Sequence, residues 1–144
     1  MVVGRASGRT YDTLHGRHPI DRLRFTSHAL RGKRAITHVD VVEHFSGLAT
    51  LVRCRLATGR THQIRVHLCE RSHTPILGDP LYGHAPRDPR LRQLAEALGH
   101  QALHAHVLGF AHPVTGREMR WQRPPPADME QACQALRKLA LTKS

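Results

Sequence analysis

From Ala35 onward the apolar positions fall into a readable pattern. Ile36, His38, Val39, Val41 and Val42 predict a strand, Gly47 a turn, and Ala49 to Ala57 a second strand. Leu51, Arg53 and Arg55 lie on one face of that second strand, Val52, Cys54 and Leu56 on the other, so the pair reads as a hairpin. Thr58-Gly59 ends it, and Ile64, His67 and Leu68 fall at helical spacing within Thr61 to Arg71, which predicts a turn and a short helix. Thr74 to Gly83, with two prolines and two glycines, reads as a structured loop apolar enough to pack on something. Leu91, Leu94 and Leu98 predict a surface helix over Pro89 to Gly99, with Gly99 as its C-cap. Leu103 to Phe110 alternates, and Glu118 to Gln122 follows the turn His112 to Gly116, which predicts a second hairpin. After Pro124-Pro125-Pro126, the stripe Met129, Ala132, Cys133, Leu136 and Leu139 marks a packing helix over Ala127 to Leu141. The first 35 residues, rich in Gly and Arg, show no strong strand or helix and read as an internal segment.

At 144 residues the chain has the length of one domain. It is 40% apolar but only 4% aromatic, so its core is mostly aliphatic. Charge changes the picture more. Lys and Arg number 22, of which 19 are Arg, against 11 Asp and Glu, a formal charge of +11. Such an excess favours a polyanion, nucleic acid first, because each neutralised phosphate releases a condensed counterion. Arg suits that partner by its bidentate fork, although a GC-rich genome also raises Arg over Lys. There is no run of about 18 apolar residues, and Met1-Val2-Val3-Gly4-Arg5 carries neither a signal peptide nor a lipidation signal, so a cytoplasmic location is expected. Cys54, Cys69 and Cys133 have no C-x-x-C spacing and read as small apolar residues. His100, His104 and His106 lack a Cys or carboxylate at metal-site spacing, so no metal is expected.

The chemistry concentrates between Arg55 and Leu68, where Arg60, His62, Gln63, Arg65 and His67 crowd a strand-turn-helix junction. Arg60 and Arg65 flank the first turns of the short helix, a place the helix dipole does not favour for cations, and so imply an anion nearby. The stretch Leu56 to Leu68, continued by Pro75 to Gly83, closely resembles the third motif of the RluA-type pseudouridine synthases. Gly16 to Arg22, Ala35 to His38, Leu103 to Ala105 and Phe110 to Gly116 resemble the same family in the same order, roughly over residues 2 to 128.

The resemblance implies an α+β fold with a mixed, mainly antiparallel sheet and flanking helices, residues 1–144 forming part of a catalytic domain. It implies isomerisation of uridine in rRNA or tRNA without cofactor or metal, by an enzyme monomeric when intact. In the family an aspartate in an R-L-D sequence opens the glycosidic bond, a tyrosine packs on the uracil, and an arginine keeps the carboxylate ionised in a closed pocket. Arg65 matches that arginine. Arg60, Thr61, His62 and Gln63 are placed to bind RNA, and Leu103 to wall the uracil pocket. No R-L-D sequence occurs here; Asp12, Asp21, Asp40, Asp79, Asp88 and Asp128 all stand outside that setting. Val2 and Gly4 match the end of the family's Y-x-A-x-V-x-G strand, which puts its tyrosine before Met1. The resemblance thus implies a chain that begins in mid-sheet, from a start codon set too far downstream or a truncated gene in preference to a fragment that works with a partner chain. Such a chain is expected to be poorly stable on its own. The alternative is a non-catalytic RNA-binding module that keeps the basic face and has lost the chemistry.

Overall fold

The computed structural model describes residues 1–141. Five strands form one antiparallel sheet in the order β1-β5-β4-β2-β3: β1 Val2–Val3, β2 Arg9–Arg17, β3 Phe25–Thr26, β4 Lys33–Phe45 and β5 Ala49–Leu56. β6 Val107–Ala111 and β7 Glu118–Gln122 make a separate two-stranded ribbon. Helix α1, Gln63–Val66, runs directly into a π turn, His67–Arg71; α2 spans Pro89–Leu98 and α3 Ala127–Leu141.

The β4-β5 hairpin forms where the alternation predicted it. Its turn places Ser46 (φ 47°) and Gly47 (φ 73°) in the left-handed region, and Leu48 N–H donates to the Phe45 carbonyl at 2.9 Å. A turn with both central residues left-handed twists in the sense the strands require. Helix α2 also matches its signals: Asp88 caps its first turn by accepting from Arg90 N–H, Pro89 opens it, and Gly99 closes it at φ 66°.

Two expectations need correction. The first 35 residues are not without regular structure, because β2 pairs with β4 from Arg9↔Val39 to His15↔Lys33 and β3 pairs with β2. The alternation in β2 was hidden by its inward positions, where Thr13 and His15 stand beside Tyr11 and read as polar. The second hairpin begins at Val107, not Leu103. Before it, His104 Nε2 and His106 Nδ1 both reach the Arg123 carbonyl, at 3.2 and 2.6 Å, beside the backbone bond from Arg123 N–H to the His106 carbonyl at 2.9 Å.

One face of the large sheet is buried. Tyr11 of β2 and Val39 of β4 join Leu68, the loop residues Ile76 and Leu77, Leu91 and Leu98 of α2, and Met129, Ala132, Cys133 and Leu136 of α3. The α3 stripe is the one its spacing predicted. On the opposite face Asp12 pairs with Arg34 and Asp40 with Arg55, both exposed. Polar ends out and apolar ends in is the usual form of an antiparallel sheet with one solvated side.

The loop from Thr74 to Gly83 packs as expected, with Thr74, Pro75, Ile76, Leu77 and Tyr82 buried. Leu77 accepts a hydrogen bond from Ala102 N–H at 2.8 Å, which draws the chain after α2 against the loop. Gly78 sits at that crossing with φ 73°, and a Cβ there would lie 2.5 Å from the His100 carbonyl oxygen. Only glycine fits. Gly78 thereby sets the path of the residue that follows it, Asp79. Among the described residues no helix is long and apolar enough to cross a membrane.

Candidate functional site

The turn between β5 and α1 is held by Gln63, which is buried. Its Nε2 donates to the Ile36 carbonyl and to Thr37 Oγ1, both at 2.9 Å, while its Oε1 accepts from Thr58 Oγ1 at 2.8 Å and Arg60 N–H at 3.0 Å. Every polar group of the amide is used. Gln63 is therefore a peg that fixes residues 58–62 on β4.

Beneath it lies a polar layer between the sheet and the π turn. Thr37 Oγ1, having accepted from Gln63, hydrogen-bonds His67 Nδ1 at 2.8 Å, and His67 Nε2 hydrogen-bonds Thr13 Oγ1 at 2.8 Å. Burial, then the neighbouring His15 and Arg71, push the His67 pKa down to about 4. A histidine kept neutral in the fold takes up its proton in the unfolded chain near its ordinary value of 6.5, so stability falls as pH drops through the window from 6.5 to 4. Urea unfolding at pH 5 is expected to show roughly 2 kcal/mol less stability than at pH 7 from this group. A midpoint unchanged between those pH values contradicts the assignment.

Arg65 is the centre of the site. Its Nε and Nη2 donate to the two oxygens of Asp79 at 2.8 and 2.7 Å. The Asp79 side chain is wholly buried and that of Arg65 is 13% exposed. Asp79 Oδ1 also accepts from the N–H groups of Leu81 and Tyr82 at 2.9 and 3.0 Å. Burial alone raises a carboxyl pKa; here Arg65 and the two amides outweigh it, so the Asp79 pKa lies below the ordinary value. Among the described residues the fork leaves Arg65 Nη1 without a hydrogen-bond partner, and it is not buried. The guanidinium thus has a fixed plane and one nitrogen to spare.

Rings surround this pair. Arg65 lies 5.0 Å over the Tyr82 ring, and Arg24 lies 5.1 Å over it. Tyr82 meets His62 edge to face at 5.5 Å, His62 meets Phe25 in the same way at 5.8 Å, and Phe25 stacks on His15 at 5.5 Å with Arg17 over its ring. Two buried nitrogens, Arg24 Nε and His15 Nδ1, lack a hydrogen-bond partner among the described residues, and both belong to this cluster. The π turn anchors the β3 side: Glu70 Oε2 accepts from Ser27 N–H and Ser27 Oγ, each at 2.7 Å, and from Thr26 Oγ1 at 3.1 Å, and Arg71 Nε donates to Ser27 Oγ at 2.8 Å. A polar groove of about 440 Å³, lined by Arg9, Asp12, Thr13, His28, Glu70 and Arg71, is separate from the Arg65 cluster.

The residues singled out from the sequence divide accordingly. Arg65 and His62 join the cluster. Arg60 is exposed, its Nε 3.2 Å from the Arg34 carbonyl, and Thr61 is exposed with its carbonyl accepting from His15 Nε2 at 2.8 Å. Leu103, 39% exposed, follows the Ala102 that bonds to Leu77 and is not part of the hydrogen-bonded group around Arg65. Asp21 turns back on its own loop, accepting from Leu23 N–H at 2.9 Å. Asp79, Tyr82, Phe25 and Arg24 were not foreseen as site residues. The available signal was an aspartate in an otherwise apolar, packed loop, which needs a buried cation.

This arrangement has parallels among known proteins. Residues 7–70 match the family model described as RNA pseudouridylate synthase. The chain is 43% identical over 143 residues to ribosomal large subunit pseudouridine synthase D of Escherichia coli strain K12, covering 95% of this chain and 43% of that protein. It is 47% identical over 140 residues to the protein of the same name from Nitrosomonas europaea, covering 96% of this chain and 40% of that protein. The chain therefore spans less than half the length of these curated relatives. The solved structure of human RNA pseudouridylate synthase domain containing 4 superposes with a TM-score of 0.63 at 23% identity, over 94% of this chain and 59% of that one, a likeness of fold. The chain is thus similar over nearly its whole length to ribosomal large subunit pseudouridine synthases, and over residues 7–70 to the RNA pseudouridylate synthase family model.

Proposed function

We propose that the chain forms the arginine side of a uridine-to-pseudouridine isomerase site, with large-subunit ribosomal RNA as its substrate. The names of the relatives support that RNA class, and the +11 charge suits any structured RNA. The observation that carries the reading is Arg65, clamped by Asp79 through two nitrogens with Nη1 left over. A second carboxylate brought against Nη1 meets a permanent cation of fixed orientation, which keeps that carboxylate ionised in a desolvated, base-filled pocket. That second carboxylate is the aspartate the family carries in its R-L-D sequence. The uracil then leaves C1′ of the ribose through N1 and returns through C5, which gives up its proton while N1 gains one. The base has first to leave its stack to reach the pocket.

The test is a graft. Residues 1–144 replace the matching part of the Escherichia coli relative, and pseudouridine in large-subunit rRNA is read with a chemical probe specific for it. The graft is expected to convert uridine, and the isolated chain to bind RNA without converting it. Pseudouridine made by the isolated chain contradicts an aspartate supplied from outside these residues. A folded graft that binds RNA and makes none contradicts the isomerase reading in favour of a binding module.

A further inference from the structure

The hydrogen bonds around His62 decide which of its nitrogens carries the proton. Phe25 N–H donates to Tyr82 Oη at 2.8 Å, and Tyr82 Oη lies 2.9 Å from His62 Nδ1. The phenol has a single proton, its oxygen already accepts from Phe25, and His62 is its other hydrogen-bond partner among the described residues. With Tyr82 buried and no other acceptor for its proton among the described residues, the geometry assigns the Tyr82 O–H as donor to Nδ1 and the neutral ring's own proton to Nε2. Burial, with the nearby Arg65 cation, lowers the His62 pKa and favours that neutral form. The ring cannot easily turn away, because Phe25 and Tyr82 hold it edge-on at 83° and 80°. Its backbone is fixed at φ 58°, in the left-handed region that a non-glycine residue enters at a cost. Among the described residues Nε2 has no hydrogen-bond partner, and it is not buried.

Two donors thus remain unspent at the site, Arg65 Nη1 and His62 Nε2–H. Asp79 offsets Arg65, while Arg24 and Arg17 add positive charge to the ring cluster. Beside these cations a neutral His62 N–H brings no charge of its own, and its hydrogen bond to an uncharged oxygen leaves no charge unpaired.

We propose that His62 is a specificity residue: its Nε2–H, made the ring's only donor by the Tyr82 hydroxyl on Nδ1, donates to a carbonyl oxygen of the target uracil. This rests on the uridine reading above. Uracil presents two carbonyl acceptors, and cytosine replaces one of them with an amino donor. A free imidazole could answer either base by moving its proton. His62 cannot, because Nδ1 is already occupied, so an amino group facing Nε2–H leaves two donors opposed and neither satisfied.

Nitrogen-15 NMR of the histidine rings tests the proposal on the whole chain, with His62 assigned through His62→Asn. The expected spectrum has His62 Nδ1 unprotonated and Nε2 protonated at pH 7. Uridine, cytidine and inorganic phosphate are then titrated separately. Uridine is expected to move the Nε2 resonance saturably, cytidine to need roughly tenfold higher concentration or more, and phosphate to leave it in place. Tyr82→Phe, checked for an unchanged circular dichroism spectrum, is expected to give a mixture of the two ring forms and to bring the uridine preference to within about twofold. A proton on Nδ1, equal response to uridine and cytidine, no response to uridine, or a phosphate response matching that of uridine each overturns the assignment. An inactive graft sinks the isomerase reading and leaves the ring-proton result standing, so the two failures are distinguishable.

Discussion

Asp79→Ala is expected to cost about 3–5 kcal/mol of folding stability, the range found when one partner of a buried ion pair is removed. Three groups lose their acceptor at once: the Arg65 guanidinium, which is 13% exposed, and the Leu81 and Tyr82 amides. The charge left behind is the larger part of the loss, because an arginine cannot shed its proton and water reaches it poorly. Asp79→Asn keeps the shape and one acceptor and is expected to lose less. Urea unfolding at pH 7 reads both. A loss below about 1 kcal/mol for Asp79→Ala shows that the pair is already solvated and contradicts its burial. The pH dependence has a defined sign. With its pKa lowered by folding, Asp79 contributes stability that is full above the ordinary carboxylate value and is lost as pH falls through the lowered one.

In the grafted synthase, Arg65→Lys and Arg65→Ala are both expected to lower turnover by at least about a hundredfold, the scale of removing one preorganised donor from a reacting centre. Lys keeps the charge but offers a point in place of a fork, so it cannot hold Asp79 with two nitrogens and still aim a third. RNA affinity is expected to fall only modestly in both variants, because the remaining cations carry most of the phosphate contacts. Single-turnover rates at saturating RNA separate the two effects. A large loss of binding with normal turnover would make Arg65 an RNA contact and remove it from the reacting centre. Arg65→Ala also strands Asp79, so Arg65→Lys is the cleaner probe if the alanine variant unfolds.

The parts of this fold that were legible in the sequence are those whose pattern is local. The β4-β5 hairpin shows alternation around Gly47, α2 shows its Pro89 start and Gly99 stop, and α3 shows an apolar stripe. β2 was not legible because its inward positions, Thr13 and His15, bond to His67 and to the Thr61 carbonyl, contacts that span 54 and 46 residues. Polar groups of this kind look like solvent-facing ones until their partners are placed. The same holds in the site. Arg65 and His62 could be picked out by motif, but the meaning of each depends on a partner in the Thr74–Gly83 loop. Asp79 takes two of the guanidinium nitrogens, and Tyr82 decides where the imidazole proton sits. Gln63, picked out with them, spends its whole amide on β4 and the turn before α1.

The π turn at His67–Arg71 makes the chain intolerant of a change in length at one place. A π turn carries one more residue than the α-helical turn it replaces, and removing that residue restores regular helix. Each residue of an α-helix advances the side chain by about 100°, so a one-residue deletion between His67 and Arg71 would swing Glu70 and Arg71 away from Ser27 while leaving Arg65 where it is. β3 would then lose its anchor, and with it the Phe25 N–H that meets the Tyr82 hydroxyl. Homologous chains that share this site should therefore align without gaps from Arg65 to Arg71, however freely their surface loops vary.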